Sequence, residues 1–208
     1  NGSGKTTLLR AIMGFGGLTV TEGKIVFKGK DITRTPLHER AQMGMGMLYQ
    51  RPPTISGLKL GKLLAVTSKN RIDEVNRYAK NLNMDRFLSR DINAGFSGGE
   101  IKRSEVLQLM IQKPDFVMLD EPESGVDIEN ISLIGNAIGG LLEKNKHYRD
   151  RKKSGLIITH TGYILDYIDA DKGHVMCDGQ IKCRGNPREI LKEIKTRGYQ
   201  ECITCQKA

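Results

Sequence analysis

The sequence predicts an α/β fold, in which a parallel sheet carries helices on both of its faces. Three observations lead there. A glycine-rich turn at Asn1–Thr7 runs straight into a helical pattern, three short apolar runs of β character follow along the chain, and stretches of helical periodicity separate those runs.

Taken in order, the first helix is expected over Lys5 to about Met13. Gly23 to Asp31 alternates Ile25 and Phe27 with polar neighbours around Lys28-Gly29-Lys30, the pattern of a small antiparallel hairpin. Pro36 opens a short helix to about Met43, and the first apolar run, Met45–Tyr49, ends at Gln50. The character changes from Arg51 to Ala94. Pro52-Pro53 and Gly57 mark a loop, and helical periodicity over Leu60–Val66 and Ile72–Leu82 indicates an inserted helical subdomain, residues 51–94. The rest of the core is expected over 1–50 and 95–197, with a tail at 198–208. Within it, Ser97 starts a helix running to about Ile111. Phe116–Leu119 and Leu156–Thr159 are strands, separated by a helix from about Ile128 to Leu142. The sequence has no internal repeat and no low-complexity linker.

A chain of 208 residues is long enough for one well-buried core with a small insertion. Its 38% hydrophobic and 27% charged content is that of a soluble globular protein, and no apolar run approaches the roughly 20 residues of a membrane-spanning helix. Polar Asn1 to Thr7 stand where a signal peptide would begin, so a cytoplasmic location without direct membrane insertion is expected. The net charge of +9 raises nucleic acid as a partner. Much of the excess lies in Lys144–Lys153, which reads as the solvated, dipole-favoured close of the helix before it, and aromatics are too few for a stacking platform, so no nucleic acid is expected. Of the four cysteines, only Cys202 and Cys205 have metal-ligand or redox spacing, and free thiols are the expectation for the tail.

Asn1-Gly2-Ser3-Gly4-Lys5-Thr6-Thr7 has the form of the later part of a Walker A loop. Glycines let consecutive backbone N–H groups form an anion nest, and the helix dipole adds positive potential. Lys5 then reaches the terminal phosphates of ATP, and the Thr6 hydroxyl serves Mg²⁺. The leading glycine and the strand before such a loop are missing, so an N-terminally truncated chain is expected. Phe116-Val117-Met118-Leu119-Asp120-Glu121 follows as an apolar strand ending in two carboxylates, a Walker B pattern: Asp120 for the cation and Glu121 to polarise the attacking water. Phe96-Ser97-Gly98-Gly99-Glu100 places a second phosphate-binding helix start in the chain. One nucleotide needs only one such end for its terminal phosphate, so this one is expected to cap ATP held by another subunit.

This combination resembles the ATP-binding-cassette ATPases over essentially the whole chain. The resemblance implies a P-loop fold with a RecA-like core, and further roles by position: Gln50 as the Q-loop residue near the metal, Ser124-Gly125-Val126-Asp127 as the D-loop, and His160 as the switch histidine contacting the γ-phosphate. Several stretches are similar to the SufC family, the ATPases of SUF iron–sulfur cluster assembly. They are Glu100-Ile101-Lys102-Arg103-Ser104-Glu105, Glu123-Ser124-Gly125-Val126-Asp127-Ile128, and the runs Tyr163–Ile168 and His174–Ile181. That resemblance implies SufB- and SufD-like scaffold partners and ATP-dependent pairing with a second ATPase subunit. Pro122 after Glu121, as in transporter ATPases, and the short 51–94 segment keep a membrane-transporter subunit as the alternative.

Overall fold

The computed structural model describes residues 2–204, with the side chains of 199–204 left aside. Asn1 and Cys205 therefore lie outside the described residues, as does the side chain of Cys202.

The centre is a three-stranded parallel sheet in the order β3 (Met45–Leu48), β6 (Phe116–Asp120), β7 (Ser154–Ile158). Alternation of side chains divides its strands between two cores. Met45, Met47 and Met118 face one cluster with Leu9, Met13 and Ile32, beneath helix α1 (Lys5–Met13) and the hairpin β1 (Val26–Phe27)–β2 (Lys30–Asp31). Leu48, Val117 and Leu119 face the other, with Val106 and Leu107 of α5 (Gly98–Gln112) and Ile134 and Ile138 of α6 (Ile128–Leu141). Gly46 completes the packing, because a Cβ there would sit 2.8 Å from Leu109 and 2.9 Å from Pro114. The helix α5 is buried nearly all round and has no polar stripe.

Short helix α2 (Leu37–Gln42) follows the first hairpin. Residues 51–94 depart from the expected loop-then-helices. Besides α3 (Leu60–Thr67) and α4 (Ile72–Asn81), Ile55–Lys59 forms a strand, β4, paired antiparallel with the two-residue β5 (Asp91–Ile92). Gly57 lies inside that strand at φ 81°, at the irregularity in its register. The glycine that reads as a loop marker is a bulge marker, and β4 is too exposed to show alternation.

The basic stretch 144–153 lies just beyond the helix end, as its sequence suggests, but three of its cations are paired rather than only solvated. Helix α6 stops at Leu141, because Glu143 turns left-handed (φ 56°) and the N–H groups of Glu143 and Lys144 bond back to Gly140 and Gly139. The cations beyond it are folded into a loop: Lys146 pairs with Glu143 at 2.8 Å, Lys144 with Asp171 at 3.3 Å and Lys153 with Asp115 at 2.7 Å.

The described residues close with a second hairpin, β8 (Gly173–Cys177) and β9 (Gln180–Gly185), and α7 (Pro187–Thr204), whose helical run is broken at Gly198 (φ 81°, ψ 171°). Cys177 and Cys183 are free thiols on this hairpin. Among the described residues no helix is long and apolar enough to cross a membrane.

Candidate functional site

Because the three central strands are parallel, their carboxyl ends open on one edge, the edge at which this architecture binds ligands. Gln50 lies two residues beyond β3, Asp120 ends β6 with Glu121 next, and His160 lies two residues beyond β7. Helix α1, carrying Lys5 and Thr6, packs on the same strands.

The start of α1 is built for an anion. Gly2 (φ 82°) and Gly4 (φ 90°) hold the left-handed backbone that turns the chain into the helix. No side chain caps that helix start and its first turn contains no acid, so its terminal N–H groups are available to a negatively charged ligand. Lys5 Nζ donates to Ser3 Oγ at 2.6 Å, while Thr6 and Thr7 are exposed. The far hairpin braces the turn: the Gly179 N–H donates to the Ser3 carbonyl at 3.1 Å, and Met176 lies 3.3 Å from where a Gly4 Cβ would stand.

Asp120 is 1% exposed, and its Oδ1 has no hydrogen-bond partner. Burial pushes its carboxyl above the usual aspartate range, and the Thr6 hydroxyl beside it opposes that shift. A buried, under-satisfied carboxylate next to a threonine hydroxyl suits a hard divalent cation, whose charge would favour its ionised form. Glu121 follows with a left-handed backbone, φ 52°, and its Oε1 lies 2.9 Å from His160 Nε2. Gln50 is exposed, and its backbone carbonyl accepts from Lys102 Nζ at 3.1 Å.

The second helix start belongs to α5. Ser97 and Glu100 form a capping box: the Ser97 hydroxyl accepts from the Glu100 N–H at 3.3 Å, and the Ser97 N–H donates to Glu100 Oε2 at 2.8 Å. Gly98 lies against the Gly125 carbonyl, which would stand 2.6 Å from any Cβ there, and Gly99 lies against Asn130. Asp127 caps α6 by accepting from the Asn130 N–H at 2.8 Å. The start of α5 thus packs beside the turn leading to Asp127, and Ser97 and Gly98 are exposed.

The structure therefore gathers Lys5, Thr6, Asp120, Glu121 and His160, and sets Ser97–Glu100 and Asp127 in a second group. It also shows residues that motif reading passed over. Buried Lys102 and Glu105, 3.7 Å apart, hold the end of β3: Lys102 donates to the Tyr49 carbonyl at 2.5 Å and Glu105 accepts the Tyr49 N–H at 2.9 Å. Glu123, also buried, accepts from the hydroxyls of Thr159 and Thr161. A Lys and a Glu three apart on a helix signal a pair, but not that it faces inward; Glu123 stands in the stretch Glu123–Ile128 quoted for its resemblance, and nothing in that stretch signals its threonine partners.

Known proteins align with this arrangement. The family model described as "ABC transporter" matches residues 1–124. A "probable ATP-dependent transporter ycf16" of Cyanidium caldarium is 36% identical over 215 residues, covering 96% of this chain and 82% of the relative. A "probable ATP-dependent transporter SufC" of Escherichia coli is 34% identical over 218 residues, covering 96% and 83%. A solved ATP-binding cassette of an ABC transporter superposes with a TM-score of 0.75 at 26% identity, covering 98% of this chain and 84% of the other. An ADP conformation of such a cassette gives 0.74 at 25% identity, covering 99% and 85%.

Proposed function

Because the chain belongs to the ATP-binding-cassette family and is an ATPase of that kind, we propose that it works as a SufC-like motor, hydrolysing MgATP in a site that a second ATPase subunit completes. The observation that carries this reading is the convergence at one sheet edge of an uncapped, acid-free helix start with the Asp120–Glu121 and Glu121–His160 pairs. Its motion drives a conformational change in an iron–sulfur cluster assembly scaffold of SufB and SufD type. Similarity to the SufC and ycf16 relatives over 96% of the chain supports that assignment.

In this reading Gly2, Ser3 and Gly4, with Asn1 and Thr7 flanking, cradle the β-phosphate, and Lys5 leaves Ser3 for the terminal phosphates. Thr6, Asp120 and Gln50 would hold Mg²⁺, which neutralises phosphate charge when bound; the under-satisfied Asp120 Oδ1 fits that role. Glu121 takes a proton from the attacking water, and His160, held against it at 2.9 Å, orients the reacting groups at the γ-phosphate. Ser97, Gly98, Gly99 and Glu100, with Asp127 nearby, close over the nucleotide of the neighbouring subunit. The Ser97 oxygen accepts within its capping box, so its proton is available to a phosphate. The γ-phosphate favours the closed pair, and hydrolysis removes contacts made only there. Residues 51–94 dock the scaffold, while 1–50 and 95–197 form the nucleotide core and 198–208 the tail.

A second reading, the ATPase subunit of a membrane transporter, is favoured by the names of the relatives, which say transporter, and by Pro122. Affinity purification of the full-length protein from its own cells separates the two. Recovery with a soluble SufB-like protein supports the motor, and recovery with a membrane permease overturns it.

A further inference from the structure

Glu123 stands two residues beyond the carboxylate that faces His160, and the hydrolysis scheme makes no use of it. It is 6% exposed. Its Oε1 accepts from the hydroxyls of both Thr159 and Thr161, the latter at 3.1 Å. Each hydroxyl is itself anchored: Thr159 Oγ1 accepts from the Gly162 N–H at 2.8 Å, and Thr161 Oγ1 from the Tyr163 N–H at 3.4 Å. The two threonines are the residues immediately before and after His160.

Burying a carboxylate is costly unless it is well bonded, and the other oxygen of Glu123 has no partner. A glutamate kept there on hydroxyl bonds alone contributes less to stability than an apolar residue of its size would. What it does supply is geometry. One carboxylate oxygen fixes the loop on both sides of a single histidine, and through the Glu121–Glu123 turn it ties that loop to the glutamate the histidine touches.

We propose that Glu123 is the positioning residue for His160, holding the 159–163 loop so that the imidazole stays on Glu121. This rests on the reading of Glu121 and His160 as the hydrolytic pair. The same turn includes Gly125, whose carbonyl closes on Gly98. One short segment therefore joins the histidine loop to the helix start offered to the neighbouring subunit.

The test is steady-state ATP hydrolysis and nucleotide affinity in the full-length protein, comparing Glu123→Ala, Glu123→Gln, His160→Ala and the double variant Glu123→Ala/His160→Ala. Glu123→Ala is expected to lower kcat about 10- to 100-fold while KM and nucleotide affinity stay within about twofold, because a misplaced group costs rate rather than binding. Glu123→Gln keeps one acceptor oxygen for both hydroxyls and is expected to retain kcat within about threefold. If Glu123 acts through His160, the double variant is no slower than His160→Ala alone. Wild-type kcat in Glu123→Ala, equal losses in the Ala and Gln variants, or additive losses in the double variant would each overturn the proposal. Normal turnover in His160→Ala sinks the hydrolytic reading and the proposal with it, whereas a His160→Ala loss beside a normal Glu123→Ala sinks the positioning role alone. Should Glu123→Ala fail to fold, Thr161→Val removes one of the two bonds at an exposed residue. A severalfold fall in kcat is then expected, and an unchanged kcat refutes the idea.

Discussion

Glu121 holds a left-handed backbone (φ 52°) that glycine adopts freely and glutamate does not, at a cost of about 1–3 kcal/mol. Two bonds keep it there: its N–H donates to the Ile158 carbonyl at 3.0 Å, and its carbonyl accepts from the Ser124 N–H at 3.1 Å. The bend takes the carboxylate out of the strand direction and onto His160. Glu121→Gln preserves this shape and removes only the basic oxygen. It is expected to retain nucleotide binding while turnover falls about 100- to 1000-fold, read as phosphate release beside equilibrium nucleotide titration. Turnover near wild type would assign the proton acceptor elsewhere. Glu105 gives a second prediction. Burial pushes its carboxyl up to about 7, against the pull of Lys102, while burial moves Lys102 down. An acid raised in the folded state binds its proton more tightly there than in the unfolded chain. Its contribution to stability therefore falls as pH rises from about 4.5 through about 7, then levels off. The carboxylates of Asp91 and Asp115, lowered by their hydrogen bonds and lysine partners, act below that window. Urea midpoints at pH 5 and pH 8 should differ more for the wild type than for Glu105→Gln, and equal differences would count against the buried acid.

Helix α1 is held at the end opposite its anion site by one side chain. Arg40, 2% exposed, donates through Nη1 to the Ala11 and Ile12 carbonyls at 3.0 and 2.7 Å. Its Nε reaches the Thr35 carbonyl at 2.7 Å and its Nη2 the Thr33 carbonyl at 3.0 Å. A cation at a helix C-terminus complements the dipole whose positive end faces Lys5 and Thr6. Gly14 must be glycine, since a Cβ there would meet the guanidinium at 2.8 Å. Arg40→Met keeps the stem and strands these carbonyls, so a loss of about 3 kcal/mol is expected, or roughly 6–12 °C in calorimetric melting temperature. A shift near zero would mean that water replaces the guanidinium. Sequence reading reached α1 and α6 because each buries one face, and α5 through its Ser97-Gly98-Gly99 start although it is buried nearly all round. It reached the central strands as short apolar runs, β3 and β6 being buried on both faces, and the Glu121 and His160 positions because motifs lie at the ends of those strands. Arg40 was out of reach, since its partners Ala11 and Ile12 lie nearly thirty residues upstream. Strand β4 escaped because its pairing with β5 leaves it exposed, and the role of Glu123 depends on threonines brought beside it only by the β6–β7 register.

At the scale of the whole molecule, one chain presents two unlike helix starts, α1 uncapped and free of acid and α5 closed by its Ser97–Glu100 capping box, which the proposed function assigns to different ends of a shared site. The start of α1 lies beside Asp120 and against Gly179 of the far hairpin. The start of α5 is held instead by contacts with Gly125 and Asn130, and its Glu100 lies 3.7 Å from Arg86. If each nucleotide is sandwiched between α1 of one subunit and α5 of another, the two defects Glu121→Gln and Ser97→Arg should complement across a mixed pair. A chain carrying Glu121→Gln still offers its α5 start to a partner, and a chain carrying Ser97→Arg still has its own Glu121 and Lys5. Mixed pairs then contain one intact composite site and one doubly defective site. Random twofold pairing of equal amounts makes about half the pairs mixed, so turnover should recover to roughly a quarter of wild type although neither variant turns over alone. Glu121→Gln is the right partner because it leaves untouched the α5 start that the other chain's site needs. The experiment is a titration of one full-length variant into the other, following phosphate release, with pairing checked by size-exclusion chromatography in ATP. Recovery that rises with the mixed fraction places the two helix starts in one shared site. Mixed pairs that form and stay inactive would mean that each chain completes its own site, and the start of α5 would need another ligand.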